Sequence, residues 1–183
     1  MYSNFTDTCC WRPSRNPDNV EIIRVDDKTV ELRNIDAFFV ELLKQIPGET
    51  DPGDDKIAHG RLFSKPTDDP EDELNEEWET YVEPGLRHLF ESATETVSKD
   101  LERFEKIVME GVTEYSLSIP VDHLDQWLNT LNQARLSMAM RNRLTDEELA
   151  ADFSPVINSK RDMQLLQIHI YGFLQEMFLR ELD

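Results

Sequence analysis

One arginine lies where the helical pattern of the sequence calls for an apolar side chain. Arg135 follows Leu128 by seven residues and Leu131 by four, and it precedes Met138 by three, so it shares their helical face. A buried guanidinium keeps its charge and needs a compensating group, because an unpaired buried ion is strongly destabilising. We predict that Arg135 is mostly buried and paired with a carboxylate, with Glu176 as the first candidate.

Two further polar residues raise the same question. Asn132 lies about one helical turn before Arg135, and Arg61 directly precedes the apolar pair Leu62-Phe63. Two interpretations stay open for the arginines. Each either joins two helices within the fold or anchors a ligand or partner.

The sequence lacks the motifs of common catalytic and cofactor sites. It contains no GxxxxGK[ST], GxGxxG, GxSxG or CxxC pattern. None of its four histidines lies four residues from another, and none follows a glutamate by three, which excludes HExxH and the ExxH of di-iron bundles. We therefore predict no metal and no cofactor, and we interpret the adjacent Cys9 and Cys10 as reduced thiols.

The charge of the chain is strongly negative. Its 38 acidic and 19 basic side chains give a net charge of −19, which disfavours binding to nucleic acid and to anionic membranes. No window approaches the ~18 continuous apolar residues of a membrane span, and the N-terminus lacks the pattern of a signal peptide. We expect a cytoplasmic protein with a protein partner, no nucleic acid and no membrane.

The elements predicted from periodicity indicate an α+β, mainly helical fold: a bundle of four to five helices with a small two- to three-stranded antiparallel sheet. Residues 1–18 are predicted to be a flexible arm and 19–183 a single helical domain. The strands are expected at 20–25, 29–33 and 114–119.

The predicted helices differ in how much apolar surface they carry. They comprise a helix capped by Asn34 and ended by Pro47-Gly48, helices from Asp69-Pro70 onward and over 85–106, a long helix after Pro120, a short one opened by a Thr145–Glu148 capping box, and 160–182. The last is apolar nearly all round, so we expect it to be the most buried element. Residues 49–60 are predicted to be a loop.

Much of the negative charge is concentrated in one segment. Residues 49–84 hold 13 acidic and 3 basic side chains. Within it, Leu74, Trp78 and Tyr81 are expected to form the buried stripe of a helix. The acids from Pro66 to Glu83 fit a solvated face, with a cation site and a surface for a basic protein as alternatives.

Five short motifs resemble those of a small bacterial family of unknown function that is often encoded beside the Clp protease adaptor ClpS. They are Arg61-Leu62-Phe63, Asp68-Asp69-Pro70-Glu71, Leu86-Arg87, Trp127-Leu128-x-x-Leu131-Asn132-x-x-Arg135-Leu136 and Gly172-Phe173-Leu174-Gln175-Glu176, in that order. The resemblance implies a helical domain over roughly 20–182 with no established activity. It also implies that Arg61, Trp127, Asn132, Arg135 and Glu176 are a motif set.

Three functions compete at this point. The leading hypothesis is a non-enzymatic regulatory or protein-interaction domain, linked by the resemblance to Clp-type protein turnover. The second is a small enzyme that binds an anionic substrate through Arg135 and uses a carboxylate such as Glu176 as base. The third is an acidic mimic of nucleic acid.

Overall fold

The protein has a four-stranded antiparallel sheet. The structure, a computed structural model, describes residues 20–109, 112–151 and 157–182, so the predicted arm with Cys9 and Cys10 lies outside the described residues. The strands are β1 (Glu21–Arg24), β2 (Thr29–Ile35), β3 (Glu105–Met109) and β4 (Val112–Pro120), in the order β1-β2-β4-β3. The mixed α+β class is confirmed, with one strand more than predicted.

Helices occupy most of the remaining described chain. They are α1 (Ala37–Glu49), α2 (Lys56–Leu62), α3 (Glu73–Glu77), a π-helical turn (Trp78–Val82), α4 (Glu83–Leu101), a 3-10 turn (Val121–His123), α5 (Leu124–Arg141), α6 (Asp146–Ala150) and α7 (Lys160–Leu182). The single domain over 19–183 stays a prediction.

Alternation along β2 and β4 buries one face of the sheet. Val30 is paired with Ile119 and Leu32 with Leu117, and all four side chains are buried. Because successive strand residues point to opposite faces, the intervening positions face outward, as Ser118 does. The buried face joins the core built by the helices.

Local capping residues set several helix boundaries. The Asp36 side chain accepts a hydrogen bond from the backbone N–H of Phe39 and caps α1, whereas the predicted cap, Asn34, lies in β2 with a φ of 59°. Asparagine tolerates this left-handed conformation better than most residues. The predicted capping box of Thr145 and Glu148 is confirmed at α6.

Two segments of the predicted structure are wrong. Residues 49–60 are not a continuous loop, because Asp55 accepts hydrogen bonds from the backbone N–H groups of Ile57 and Ala58 and begins α2. The predicted helix over 85–106 ends at Leu101, and Glu105–Met109 pairs with β4 instead. Phe104 continued the helical spacing of α4, yet it packs on the core from outside that helix.

The acidic segment also differs from its prediction. Leu74 and Tyr81 are exposed and Trp78 is half-buried, so they form no buried stripe. The five-residue α3 gives way to the π-helical turn, which changes the residues per turn and therefore the side that faces inward. Asn75 is the buried side chain of α3.

The central helix is α5, and the prediction that 160–182 is the most buried element is wrong. Nine of the 18 residues of α5 are buried, compared with seven of the 23 residues of α7. α5 packs against α1, α2, α4 and α7. α7 leaves Phe173, Leu179 and Leu182 exposed, so its apolar residues cover more than the side that the core needs.

A buried carboxylate joins the end of α4 to the start of α5. Asp100 is 0% exposed and accepts hydrogen bonds from Trp127 Nε1 at 2.9 Å and from Arg103 Nη2 at 2.9 Å. His123 Nδ1 lies 3.0 Å from Asp100 Oδ2. Because a carboxylate only accepts, this histidine nitrogen carries the proton.

We expect Asp100→Ala to lower the free energy of unfolding by about 3 kcal/mol, because it strands the donors of a buried ionic network. The value lies at the low end for such networks, since Arg103 and His123 keep part of their contact with solvent. Urea unfolding measures the change, with the exposed Glu102→Ala as the matched control. If both variants unfold at the same urea concentration, Asp100 does not hold this junction.

Candidate functional site

Arg87 connects α4 to α2 on the acidic side of the molecule. Its Nη2 donates to Glu83 Oε1 at 2.7 Å and contacts His59 Nε2 at 3.1 Å. Since arginine has no acceptor, the histidine nitrogen accepts. The Arg87 Cζ lies 4.5 Å from the ring centroid of Phe63, which adds a cation–π contact.

Aromatic side chains complete this group, which we call the α2–α4 cluster: His59, Phe63, Glu83, Arg87 and Phe90. The rings of Phe63 and Phe90 lie 5.7 Å apart, and those of His59 and Phe63 lie 4.9 Å apart. Two of the five sequence motifs, Arg61-Leu62-Phe63 and Leu86-Arg87, therefore meet in space. Sequence reasoning did not find this pair, although Arg87 precedes Phe90 by three residues.

Three open cavities of about 440, 510 and 520 Å³ border the α2–α4 cluster. The largest has Gln133 of α5 in its lining, with Asp51, Glu91 and Glu95 among its acidic residues. Gln133 is 4% exposed, and its Nε2 has no hydrogen-bond partner in the part of the chain that the structure describes. The cavities are thus lined by both aromatic rings and carboxylates.

The segment beside these cavities carries charge and exposed apolar side chains together. Between Glu71 and Glu95 the chain has nine carboxylates and one arginine, and we call this segment the acidic helical face. Four of its apolar side chains are largely exposed: Leu74, Tyr81, Val82 and Leu89, with Tyr81 at 79%. Tyr81 and Val82 belong to the π-helical turn, a feature frequent at functional sites.

The residues singled out from the sequence do not form one site. Trp127 is buried against Asp100, while Arg61, Asn132 and Glu176 are exposed. No hydrogen bond or ion pair connects any two members of the predicted motif set within the described residues. Asp100 was missed, although its position three residues after Val97 and one before Leu101 placed it beside the apolar stripe.

The predicted ion pair between Arg135 and Glu176 is wrong. Arg135 is half-buried, and its Nη1 donates to Gln175 Oε1 at 2.5 Å, whereas Glu176 pairs with Arg180 at 2.5 Å. Each helical residue is rotated by about 100° from the next, so the direction that faces Arg135 belongs to Gln175. Gly172 lies under the guanidinium, since a Cβ there would be 3.3 Å from Arg135 Cζ.

The family of the chain follows from a comparison that covers most of it. A protein-family model described as "Domain of unknown function (DUF2017)" matches residues 18–182. The chain belongs to the DUF2017 family. No curated protein and no solved structure matches it. The resemblance found in the sequence is confirmed as far as a family of unknown function.

Two classes of site are not found in the described part of this DUF2017 chain. No group of three or more histidine, cysteine or acidic side chains there is arranged to hold a metal ion. None of the helices in the same ranges has the length and apolar character needed to cross a membrane.

Arg135 contributes to the lowered pKa of a neighbouring histidine on α7. Burial and, second, the positive charge of Arg135 lower the pKa of His169 below its usual 6.5. Burial also lowers the pKa of Arg135 itself. Because the folded pKa of His169 is depressed, the unfolded chain takes up this proton first as the pH falls below 6.5, and the folded state then loses stability.

We expect Arg135→Met to raise the pKa of His169 towards, but not to, its usual value, because the burial remains. NMR titration of the His169 ring measures the change, and Arg180→Met on the exposed side of the same helix serves as the control of equal charge. Acid-induced loss of stability between the folded and unfolded pKa values should become smaller in Arg135→Met. An unchanged His169 titration contradicts the assigned electrostatic contact.

Proposed function

We propose that this DUF2017 protein is a non-enzymatic regulatory or protein-interaction domain whose acidic helical face binds a basic segment of a partner protein. The observation that carries the proposal is the exposure of Leu74, Tyr81, Val82 and Leu89 among nine carboxylates. Single exposed apolar side chains are normal on protein surfaces, whereas several within one segment favour an interaction site. A protein interface uses apolar side chains and charged groups together. Aromatic and aliphatic anchors that become buried supply affinity, and complementary charge supplies specificity.

The charge of the face defines the partner. Glu76, Glu77 and Glu79 are exposed beside Tyr81, so a segment rich in lysine or arginine with one or two apolar residues fits best. The resemblance to a family encoded beside ClpS makes the components of Clp-type protein turnover the first partners to test.

The nucleic-acid mimic is the weaker alternative for the same face. A mimic needs outward carboxylates in a regular row, whereas Glu83 is drawn onto Arg87 and Lys65 pairs with Glu79. The four exposed apolar side chains also interrupt the acids. These features favour recognition of a protein segment over imitation of a phosphate backbone.

The small-enzyme alternative rests on another part of the molecule. Arg135 remains a candidate anchor for an anion, because the described residues provide it with no carboxylate within ion-pair distance. The Glu176 carboxylate, its proposed base, is directed to Arg180 instead. The small-enzyme hypothesis therefore lacks the catalytic base that it named.

We expect a double variant, Tyr81→Ser with Leu89→Ser, to bind its specific partner about 30-fold more weakly or worse, since the truncation of even one hot spot costs about 2 kcal/mol. Tagged full-length protein is purified from its own host, and bound proteins are quantified by mass spectrometry. The matched control is Val25→Ser with Val108→Ser, which removes two exposed apolar side chains outside the acidic helical face.

The partner should carry a basic segment, and its binding should weaken as salt rises. Equal retention by the double variant and the control contradicts the proposed surface. If DNA competes with this protein for the same site on the partner, the result favours the nucleic-acid mimic.

A further inference from the structure

Arg135 is the described arginine whose charge is neither paired nor fully solvated. Six others form ion pairs with carboxylates: Arg33, Arg87, Arg103, Arg141, Arg161 and Arg180. The three remaining arginines of the described ranges, Arg24, Arg61 and Arg143, are exposed to water. Arg135 is half-buried, and no carboxylate oxygen of a described residue lies within ion-pair distance of it. Of the 38 acidic side chains in the sequence, none that the structure describes pairs with Arg135.

The guanidinium of Arg135 is nevertheless held in a defined orientation. Gln175 accepts from its Nη1 and is itself fixed, because Gln175 Nε2 donates to the Leu128 backbone oxygen at 3.1 Å. Gly172 allows the group to lie close to α7, with an added Cβ only 3.4 Å from Arg135 Nη2. The arginine is therefore positioned by neutral groups alone.

One edge of this guanidinium has no hydrogen-bond acceptor. The buried Nε and the neighbouring Nη2 both lack one among the described residues. These two atoms form the edge that matches the two oxygens of a carboxylate, which is the strongest geometry for an arginine–anion pair. Because Nε is closed to solvent in this structure, an acceptor from outside the chain reaches this edge at Nη2, where it compensates the charge.

We propose that Arg135 binds the carboxylate of a ligand from outside the chain through a hydrogen bond and ion pair at its Nη2, between α5 and α7. One cation with neutral neighbours suits a singly charged carboxylate, whereas a doubly charged phosphate calls for further positive groups. The site is separate from the acidic helical face and stands whether or not that face binds a basic partner.

The test uses sodium acetate as the probe and His169 as the reporter. His169 lies three residues before Gly172, and Arg135 already lowers its pKa, so a bound carboxylate must reverse part of that effect. The other charged groups on this side of α7 are Asp162, Glu176 and Arg180, of which Glu176 and Arg180 pair with each other. NMR of the full-length protein follows the His169 ring while acetate replaces chloride at constant ionic strength.

We expect a saturable change in the His169 signals and a rise in its pKa with acetate. The response should be lost in Arg135→Met and kept in Arg180→Met. Gly172→Ala gives a second test that retains the charge, because its Cβ displaces the guanidinium and should weaken the response severalfold. No saturable response in the wild-type protein, or the same response in Arg135→Met, overturns the proposal.

Two further arms identify the source of the carboxylate. A blocked tetraglutamate peptide that binds at least 10-fold more tightly than acetate indicates an acidic protein segment, while equal affinity indicates a small acid, and both support the site. The acidic side chains outside the described residues are Asp7, Asp18, Glu110, Asp152 and Asp183. If the response appears only after these five are replaced by the corresponding amides in the full chain, the chain supplies its own carboxylate and the external ligand is excluded.

Discussion

The buried carboxylate of Asp100 is the constraint on which the arrangement of the helices depends. It lies at the last turn of α4 and accepts from Trp127 in the first turns of α5, so it fixes where one helix ends and how the other begins. Between these helices the chain forms β3 and β4. The same contact therefore fixes the end of α4, where this pair of strands begins, relative to the start of α5, where the chain continues after them. Apolar side chains of equal volume often replace buried ions without loss of stability. Apolar side chains do not fix the orientation of α4 relative to α5. Three donors directed at one carboxylate define a single orientation.

Much of the fold was predictable because it depends on local patterns. Two β-branched runs around a polar turn located β1 and β2, alternation located β4, and the capping box of Thr145 located α6. The errors arise where distant pairing decides between two local possibilities. Glu105–Met109 becomes a strand because β4 lies beside it, and α2 forms where Asp55 can cap a turn that packs on α5.

The candidate site was predictable only in part, for a related reason. The position of Arg135 on an apolar stripe followed from spacing, and the structure places it half-buried on α5. Its partner depended on how α7 is rotated about its own axis, and a rotation of one residue exchanges Glu176 for Gln175. The contact of Arg87 with Phe63 depended on α2, which the sequence did not predict. Residues were thus easier to find than the contacts between them.

The two proposed sites have opposite charge and meet the same central helix from different sides. The cavity beside the acidic helical face is lined by Gln133 of α5, and the Arg135 site lies between α5 and α7. With a net charge of −19 the protein repels free anions at long range, but ordinary salt screens that field beyond about 8 Å. Short contacts therefore decide what Arg135 binds, and there the neutral Gln175 and Gly172 leave its charge uncompensated. The acidic helical face has the opposite charge. Its carboxylates are dense enough to select positively charged segments, and its exposed apolar side chains bind the apolar residues of those segments.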